Sequence, residues 1–293
     1  MLYITSYCST EKSIAGAVKQ LANLGFRNIE LTGGTSYSEY SEEKLHDLRD
    51  KFELTYLIHN YFPPQKENFV INLASGNIST RSKTFNLISR AVALSKEFSQ
   101  HLYSVHAGYV HDLSSAKGED GLFLPAISRG NTKKAFYDAL EHIASSLLPK
   151  GFNLAIENAF PAYGNGDFSM LSSPENIFEF LQFAEYYSNV GFLLDLGHLN
   201  VATYYQKFCK ETFLKKLLSE FGHKIFELHL SRNNGIADTH EICPVESFEV
   251  QFVNDNWEIF KDIPIVLEWH QCLSPFVYDD FKRIEFFLNK RSS

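Results

Sequence analysis

Acidic and imidazole side chains stand at the ends of several short apolar segments of this sequence. Glu157 follows Asn153-Leu-Ala-Ile, and Glu268 follows Pro264-Ile-Val-Leu. A carboxylate in such a place is costly to bury unless it is paired or binds a metal ion. Four further segments end in the same way, at His59, His106, Asp195 and His229. Because carboxylates and imidazoles bind divalent ions and transfer protons, these residues predict a metal-dependent catalytic site.

Two short motifs add further candidate ligands. Asp195-Leu-Gly-His198 places a carboxylate and an imidazole three residues apart, and Asp238-Thr-His240 follows later in the chain. Both spacings suit chelation, and imidazole-rich ligation favours transition metals such as Zn²⁺ or Mn²⁺ over Mg²⁺ or Ca²⁺. A single histidine at a strand end is also a common structural residue, and this alternative stays open for His59 and His106.

Eight apolar segments alternate with segments of helical period and would position these side chains. Such alternation is typical of repeated βα units around a buried parallel sheet. The predicted strands are Leu2–Ser6, Arg27–Leu31, Leu54–His59, Leu102–His106, Phe152–Glu157, Gly191–Asp195, Ile225–His229 and Pro264–Glu268. We therefore predict an α/β fold, a single (β/α)8 TIM barrel, in which catalytic groups lie at the carboxyl ends of the strands.

The segments between the predicted strands carry helix signals. Ser9 or Thr10 is expected to cap a first helix that ends at Gly25, and Ser173-Pro174-Glu175 is expected to begin another. The clearest helical repeats of apolar residues are Ser82–Ser99, Thr132–Leu148 and Phe276–Leu288. The mostly polar stretch 111–131 has no clear period, so we expect it to form an active-site loop.

Composition narrows the classes of protein and partner. With 293 residues, of which 44% are hydrophobic, the chain can bury a large core, and we expect one domain over residues 1–293. The formal charge of −8 repels a phosphate backbone, so nucleic acid is not an expected partner. No signal peptide or membrane-spanning segment is evident, and four scattered cysteines without CxxC spacing fit a reducing cytoplasm. The sequence leaves a homo-oligomer open.

Together these segments resemble the xylose isomerase-like barrel superfamily, which includes endonuclease IV and the sugar phosphate isomerases and epimerases. The resemblance extends over nearly the whole chain. It is carried by Leu57-Ile-His-Asn-Tyr-Phe, Asn72-Leu-Ala-Ser, Val105-His-Ala-Gly, Ala155-Ile-Glu-Asn, Leu194-Asp-Leu-Gly-His, Leu228-His-Leu-Ser, Asp238-Thr-His and Val266-Leu-Glu.

The resemblance implies a divalent metal cofactor and two alternative ligand sets. In the endonuclease IV branch nine residues hold three zinc ions, and the matching residues here are His59, His106, Glu157, Asp195, His198, His229, Asp238, His240 and Glu268. In the isomerase and epimerase branch four residues hold one ion, and the matching residues are Glu157, Asp195, His229 and Glu268. The implied cofactor is therefore zinc or manganese, with one to three ions.

We expect an isomerase or epimerase of a small sugar, sugar phosphate or related polyol. Glu157 and Glu268 suit the acid and base that move a proton through an enediolate, and His198 could hydrogen-bond the carbonyl oxygen. Tyr61 and Trp269 could stack on the sugar, although core packing explains these aromatic residues equally well. A phosphate could bind Arg232 or the turn at Gly33-Gly34, and either could equally be structural.

The alternative is a zinc phosphodiesterase of the endonuclease IV type. The complete set of nine ligand types favours this reading. Two observations oppose it: Thr239 stands where endonuclease IV has an arginine, and no basic loops are present to contact a DNA duplex. A catalytically silent barrel would leave the clustered ionisable groups without a purpose.

Overall fold

Eight parallel strands form the central sheet. The computed structural model describes residues 1–39, 41–67, 69–117, 123–125, 133–161 and 169–290. The strands are β1 (Leu2–Thr5), β2 (Asn28–Leu31), β3 (Thr55–Ile58), β4 (Leu102–His106), β7 (Asn153–Glu157), β8 (Val190–Asp195), β9 (Ile225–Leu230) and β10 (Ile265–Leu267), with an antiparallel pair, β5 (Leu113–Lys117) and β6 (Phe123–Pro125), between β4 and β7. Each predicted strand is confirmed, with ends that differ by two residues or fewer.

The sheet closes into a barrel. Its strand order is β3-β2-β1-β10-β9-β8-β7-β4, so β3 and β4 form the two edges. These edges meet where His59, just after β3, forms a parallel bridge with Ser104 of β4. The Asn60 amide reinforces the bridge by donating to the Ser104 carbonyl at 2.7 Å. The predicted (β/α)8 TIM barrel is thus confirmed.

Helices surround the strands and bury their apolar faces against them. They are α1 (Ile14–Leu24), α2 (Ser41–Phe52), α3 (Ile78–Glu97), α4 (Lys133–His142), α5 (Pro174–Ala184), α6 (Leu196–Gln206), α7 (Lys210–Phe221), α8 (Phe248–Asp255), α9 (Trp257–Phe260) and α10 (Pro275–Asn289). Side chains such as Val18, Phe136 and Phe180 pack with strand residues in one continuous core. Within the described residues, no helix combines the length and apolar character needed to cross a membrane.

The helix signals hold with one correction. Ser173 caps α5 by accepting from the Asn176 amide, as predicted, and Gly25 ends α1 with a φ of 111°. The cap of α1 is Ser13, not Ser9 or Thr10, because Ser13 Oγ accepts from the Gly16 amide. A 3₁₀ turn occupies Ser6–Cys8, and Ser9 is the residue that ends it. The helix α1 therefore begins only later, at Ile14.

The stretch 111–131, predicted to be an active-site loop, contains regular structure. Its backbone forms the antiparallel pair of β5 and β6 after the end of β4. The other residues of this stretch, 118–122 and 126–131, lie outside the described residues. The sequence shows no strand pattern here, because the strands of a two-stranded pair are short and need no continuous run of apolar residues.

Candidate metal centre

The six predicted strand-end residues lie at the mouth of the barrel, which we define as the rim formed by the carboxyl ends of the eight strands and the loops that follow. Strand register brings neighbours together in pairs. His106 is directly beside Glu157 across β4 and β7, and Asp195 is directly beside His229 across β8 and β9. The Glu268 amide donates to the Leu230 carbonyl at 3.0 Å, which places Glu268 next to His229. Parallel strands of matched length thus collect residues that are far apart in sequence.

Four of these side chains form a central group, Glu157, Asp195, His229 and Glu268. One potential ligand atom from each lies within 4.8 Å of the others, and all four residues are buried. Several of their polar atoms are buried and make no hydrogen bond of good geometry, although imidazoles approach the Glu157 oxygens to 3.0 Å: both carboxylate oxygens of Glu157, Asp195 Oδ2, Glu268 Oε2 and His229 Nδ1. Buried polar atoms are rarely left without partners, so this donor set fits a divalent cation.

Two of the four further groups of potential ligands contain the remaining predicted residues. The histidine group consists of His59, His106 and Glu157, with the two Nε2 atoms 3.5 and 3.0 Å from Glu157 Oε2. The loop group consists of His198, Asp238 and His240, with the two Nε2 atoms 3.2 and 2.5 Å from Asp238 Oδ2. The structure therefore brings all nine predicted ligands together, and Glu157 belongs to two groups.

Each of four imidazoles has one ring nitrogen bound to the protein framework and the other directed at the site. Nδ1 is the anchored atom in three rings, through contacts of 3.0 Å for His59 with Ser104 Oγ, 2.9 Å for His198 with the Asn158 carbonyl and 3.1 Å for His240 with the Glu268 carbonyl. In His229 the anchored atom is Nε2, 3.0 Å from Glu30 Oε1, so Nδ1 faces the central group. Such contacts fix ring orientation and leave the second nitrogen free to bind a metal ion.

Helix capping explains the Asp-x-x-His spacing. Asp195 is the N-cap of α6, and its Oδ1 accepts from the His198 amide at 2.6 Å. This leaves Asp195 Oδ2 free to face the central group, while His198 follows in the first turn of the helix. The Asn158 side chain holds Asp195 from the other side, accepting from its amide at 2.8 Å and donating to its carbonyl at 3.0 Å. Glu157 and Asp195 are thereby kept in register through one asparagine.

A short antiparallel bridge returns the second motif to the mouth. The backbones of Arg232 and Glu241 exchange two hydrogen bonds, of 3.0 and 2.8 Å. The turn between them is held by Asn233 and Asn234, whose side-chain oxygens accept backbone amides. Asp238 and His240 therefore approach His198 although they come from a loop.

Sequence reasoning missed two buried carboxylates behind His229. Glu30 of β2 and Glu227 of β9 are almost completely buried, and their carboxylates lie 3.0 and 3.7 Å from His229 Nε2. Glu30 interrupts the apolar segment Asn28-Ile-Glu-Leu, and Glu227 is two residues before His229, on the same face of the strand. An acid inside an otherwise apolar parallel strand was the signal available.

The predicted substrate-binding residues occupy three different settings. Tyr61 is half-buried, and its hydroxyl accepts from the Ile71 amide at 2.9 Å. Arg232 is exposed at the antiparallel bridge. Trp269 has no exposed surface and packs in the hydrophobic core, so its ring offers no face for stacking on a sugar. His270 stacks on His240 with ring centroids 3.6 Å apart.

The electrostatics of the mouth reflect buried carboxylates and imidazoles in close contact. Burial opposes ionisation of Glu157, but His106 and His198 outweigh it and hold the pKa of Glu157 well below its usual range. Burial raises the pKa of Asp195 to about 8. Burial also disfavours charged imidazoles, but the attraction of nearby carboxylates is the stronger effect. It raises the pKa of His240 to about 11 and the pKa values of His198 and His229 well above the usual range. A metal ion that bound these three rings would have to displace protons from them.

Comparison with known proteins identifies relatives of the chain. Residues 18–268 match a protein family described as xylose isomerase-like TIM barrel. A protein of Methanocaldococcus jannaschii named uncharacterized protein MJ1311 is 25% identical over 239 residues, which span 81% of this chain and 72% of that protein.

Solved structures share the fold at low sequence identity. A D-tagatose 3-epimerase-like protein has a TM-score of 0.71 and 21% identity, covering 100% of this chain and 99% of that chain. The D-allulose 3-epimerase from Methylomonas sp., solved in complex with D-allulose, has a TM-score of 0.64 and 14% identity, covering 99% and 96%. Endonuclease IV from Thermus thermophilus has a TM-score of 0.62 and 14% identity, covering 99% of each chain.

Replacing Glu30 is expected to weaken metal binding. Glu30→Ala removes the acceptor of His229 Nε2–H, which frees the ring to turn away from the central group. We expect a loss of metal affinity of roughly 10- to 100-fold, and a smaller loss for Glu30→Gln, whose side-chain carbonyl can still accept. Competition with a chromophoric chelator measures this affinity. The exposed Glu220→Ala is the matched control, and wild-type affinity in Glu30→Ala would contradict the orienting role.

Metal binding at neutral pH is expected to release protons. Because the raised pKa values keep His198, His229 and His240 protonated in metal-stripped protein, each ring that ligates an ion must lose a proton. Metal affinity should therefore rise with pH and fall as the medium becomes acidic. Calorimetric titration with zinc or manganese, in buffers of different ionisation enthalpy, counts the protons. A binding heat that is independent of the buffer would refute this expectation.

Proposed function

The chain belongs to the xylose isomerase-like TIM barrel family, and on that premise we propose that it is a divalent-metal-dependent isomerase or epimerase of a small sugar, sugar phosphate or related polyol. The observation that carries the proposal is the central group, in which two glutamates, an aspartate and a histidine converge with buried ligand atoms within 4.8 Å of one another. Zinc and manganese both suit this mixture of oxygen and nitrogen ligands.

Glu157 and Glu268 are the proposed proton-transfer pair. They come from β7 and from the residue after β10, two strands that are separated in the barrel by β8 and β9. A sugar bound between them would present opposite faces of one carbon to the two carboxylates. One glutamate then removes a proton from that carbon and the other returns a proton to the opposite face, which inverts the configuration. Neighbouring imidazoles hold the pKa values of both glutamates low, so the glutamate that removes the proton is ionised and can accept it. The glutamate that returns a proton must first take one up.

The remaining residues of the mouth orient the substrate. When bound, a divalent cation polarises the substrate carbonyl and its neighbouring hydroxyl. His198 lies at the junction of the central and loop groups, where its ring can hydrogen-bond the carbonyl oxygen. Tyr61 and Arg232 are proposed to contact the sugar and any phosphate that it carries.

The comparisons support a small carbohydrate substrate. The solved structures with the same fold include two described as a D-tagatose 3-epimerase-like protein and a D-allulose 3-epimerase, the latter holding D-allulose. Both match this chain over almost its whole length. The charge of −8 also suits a small substrate better than duplex DNA, which requires several basic contacts to its phosphates.

Glu157→Gln is expected to abolish proton exchange. The amide cannot accept a proton from carbon, so incorporation of solvent deuterium into a ketose substrate should fall by at least about 100-fold. Nuclear magnetic resonance of D-tagatose or D-allulose in deuterium oxide measures the exchange, and metal analysis verifies that the variant keeps its cation. Glu268→Gln should behave alike, and the exposed Glu220→Gln should not. Wild-type exchange in a metal-loaded Glu157→Gln variant would remove the proposed acid–base role.

A second candidate function is hydrolysis of a phosphodiester by a multinuclear zinc centre. The specific observation in its favour is the pair of further ligand groups, which an isomerase that uses one cation does not require. These two groups and the central group together contain all nine residues of the endonuclease IV type, and endonuclease IV shares the fold. In this reading Glu157 would be a shared ligand of two ions rather than a base.

Metal content and parallel assays should separate the two candidates. Protein purified without chelator is analysed for zinc, manganese, cobalt and magnesium, and is then assayed on ketoses and on DNA with an abasic site. We expect at least one bound ion per chain and exchange activity with a ketose, without cleavage of the DNA. Three zinc ions together with DNA cleavage would replace the isomerase proposal by the phosphodiesterase.

A further inference from the structure

Two cysteines from opposite ends of the chain lie side by side at the mouth of the barrel. Cys8 follows β1 and Cys272 follows β10, and their Sγ atoms are 3.4 Å apart although 264 positions separate them in sequence. Cys8 is fully buried, whereas Cys272 is partly exposed. We infer that this pair is a redox-active dithiol that hydrogen peroxide converts into a reversible disulfide between the first and the last barrel strands.

Backbone hydrogen bonds hold the segments that carry the two cysteines beside each other. β1 and β10 are paired in register, and the pairing continues into the two loops. The Gln271 amide donates to the Tyr7 carbonyl at 2.9 Å, and the Leu273 amide donates to the Cys8 carbonyl at 3.2 Å. Because a disulfide bond is about 2.05 Å long, the sulfur atoms need to approach by roughly 1.4 Å, which small side-chain rotations can supply.

Cys272 is the cysteine that peroxide reaches first, because it is partly exposed whereas Cys8 is buried. The Cys272 thiolate attacks one oxygen of hydrogen peroxide, the O–O bond breaks, and the products are a sulfenic acid and hydroxide. The Cys8 sulfur then attacks the Cys272 sulfur, the S–O bond breaks, and the disulfide forms. The two thiol protons end on the two oxygens, so two thiols and one peroxide give one disulfide and two water molecules. The hydrogen bond with Cys8 lowers the pKa of Cys272, which favours this order of attack.

The position of the pair separates it from the other two cysteines. Cys209 is exposed at the start of α7, and Cys243 is buried after the loop group. Among the four cysteines, all of which the structure describes, only Cys8 and Cys272 have their sulfur atoms in contact. Cys209 and Cys243 therefore serve as internal references for reactivity that depends on exposure or burial alone.

The disulfide would tether a loop that touches the loop group. The Tyr7 ring lies edge-on to His270 with centroids 4.2 Å apart, and His270 in turn stacks on His240. Gln271, between His270 and Cys272, has a φ of 44°, a left-handed conformation that turns the chain towards β1. A covalent bond at Cys272 would hold this turn against Tyr7 and restrict movement of His270. This inference does not depend on the proposed isomerase activity.

The test compares the reduced full chain before and after treatment with hydrogen peroxide, under native conditions. Mass spectrometry of the unreduced digest should find the Cys8 peptide joined to the Cys272 peptide, and dithiothreitol should restore both thiols. Closing so long a loop should raise the melting temperature by at least about 3 °C. Cys272→Ser should lose the linkage and the thermal shift, while the matched control Cys209→Ser should keep both.

Two results would overturn the inference. One is oxidation of Cys209 while Cys8 and Cys272 remain free thiols. The other is conversion of Cys272 to a sulfinic acid with Cys8 unmodified, which would mean that the two sulfur atoms cannot meet in the folded barrel. Both results are read from the wild-type chain, so the conclusion does not require that any variant folds.

Discussion

The structure depends on the burial of several carboxylates in one small volume at the mouth of the barrel. Six acidic side chains surround His229 and its neighbours: Glu30, Glu157, Asp195, Glu227, Asp238 and Glu268. Carboxylates so close to one another repel and lose their hydration, and the protein interior offers them few hydrogen-bond donors. The neighbouring imidazoles can balance this charge, and a bound cation would balance more of it. This explains why the candidate ligands and the residues that orient them occur together.

Some candidate ligands are held by parts of the fold that also have a structural role. The Asp195 carboxylate caps α6, the Ser104 hydroxyl that bonds His59 belongs to the residue that closes the barrel, and Asn158 ties β7 to β8. Because these contacts are made by the framework, the ligand atoms are directed before any ion arrives. Such preorganisation lowers the cost of binding, since little conformational freedom remains to be lost.

The sequence was sufficient for the architecture, and the structure brings its nine candidate ligands close together. Sequence reasoning failed where tertiary contacts decide. In a parallel barrel the strands are buried and apolar, and the functional residues follow at their carboxyl ends. The strands, and residues such as Glu157 and Glu268, could therefore be predicted. Glu30 is visible in the sequence as an acid inside an apolar strand, but its role could not be predicted from that. The role depends on the contact with His229, which is 199 positions away. Trp269 follows Glu268 in sequence, but the direction of its side chain is set by packing and not by order along the chain. The predicted cap of α1 was also wrong, because Ser9, which carries an ordinary capping signal, ends the preceding 3₁₀ turn instead.

The closure of the barrel between β3 and β4 has one further consequence. Neighbouring strands elsewhere in the sheet are joined by at least two paired residues, whereas this junction has the single bridge between His59 and Ser104. Local opening of the barrel should therefore begin at the junction of β3 and β4, with His59 on one side and His106 on the other. An ion in the histidine group would then exchange with solvent faster than one in the central group, whose ligands lie on the well-paired wall. The barrel would thus offer a labile coordination position in the histidine group and an inert one in the central group.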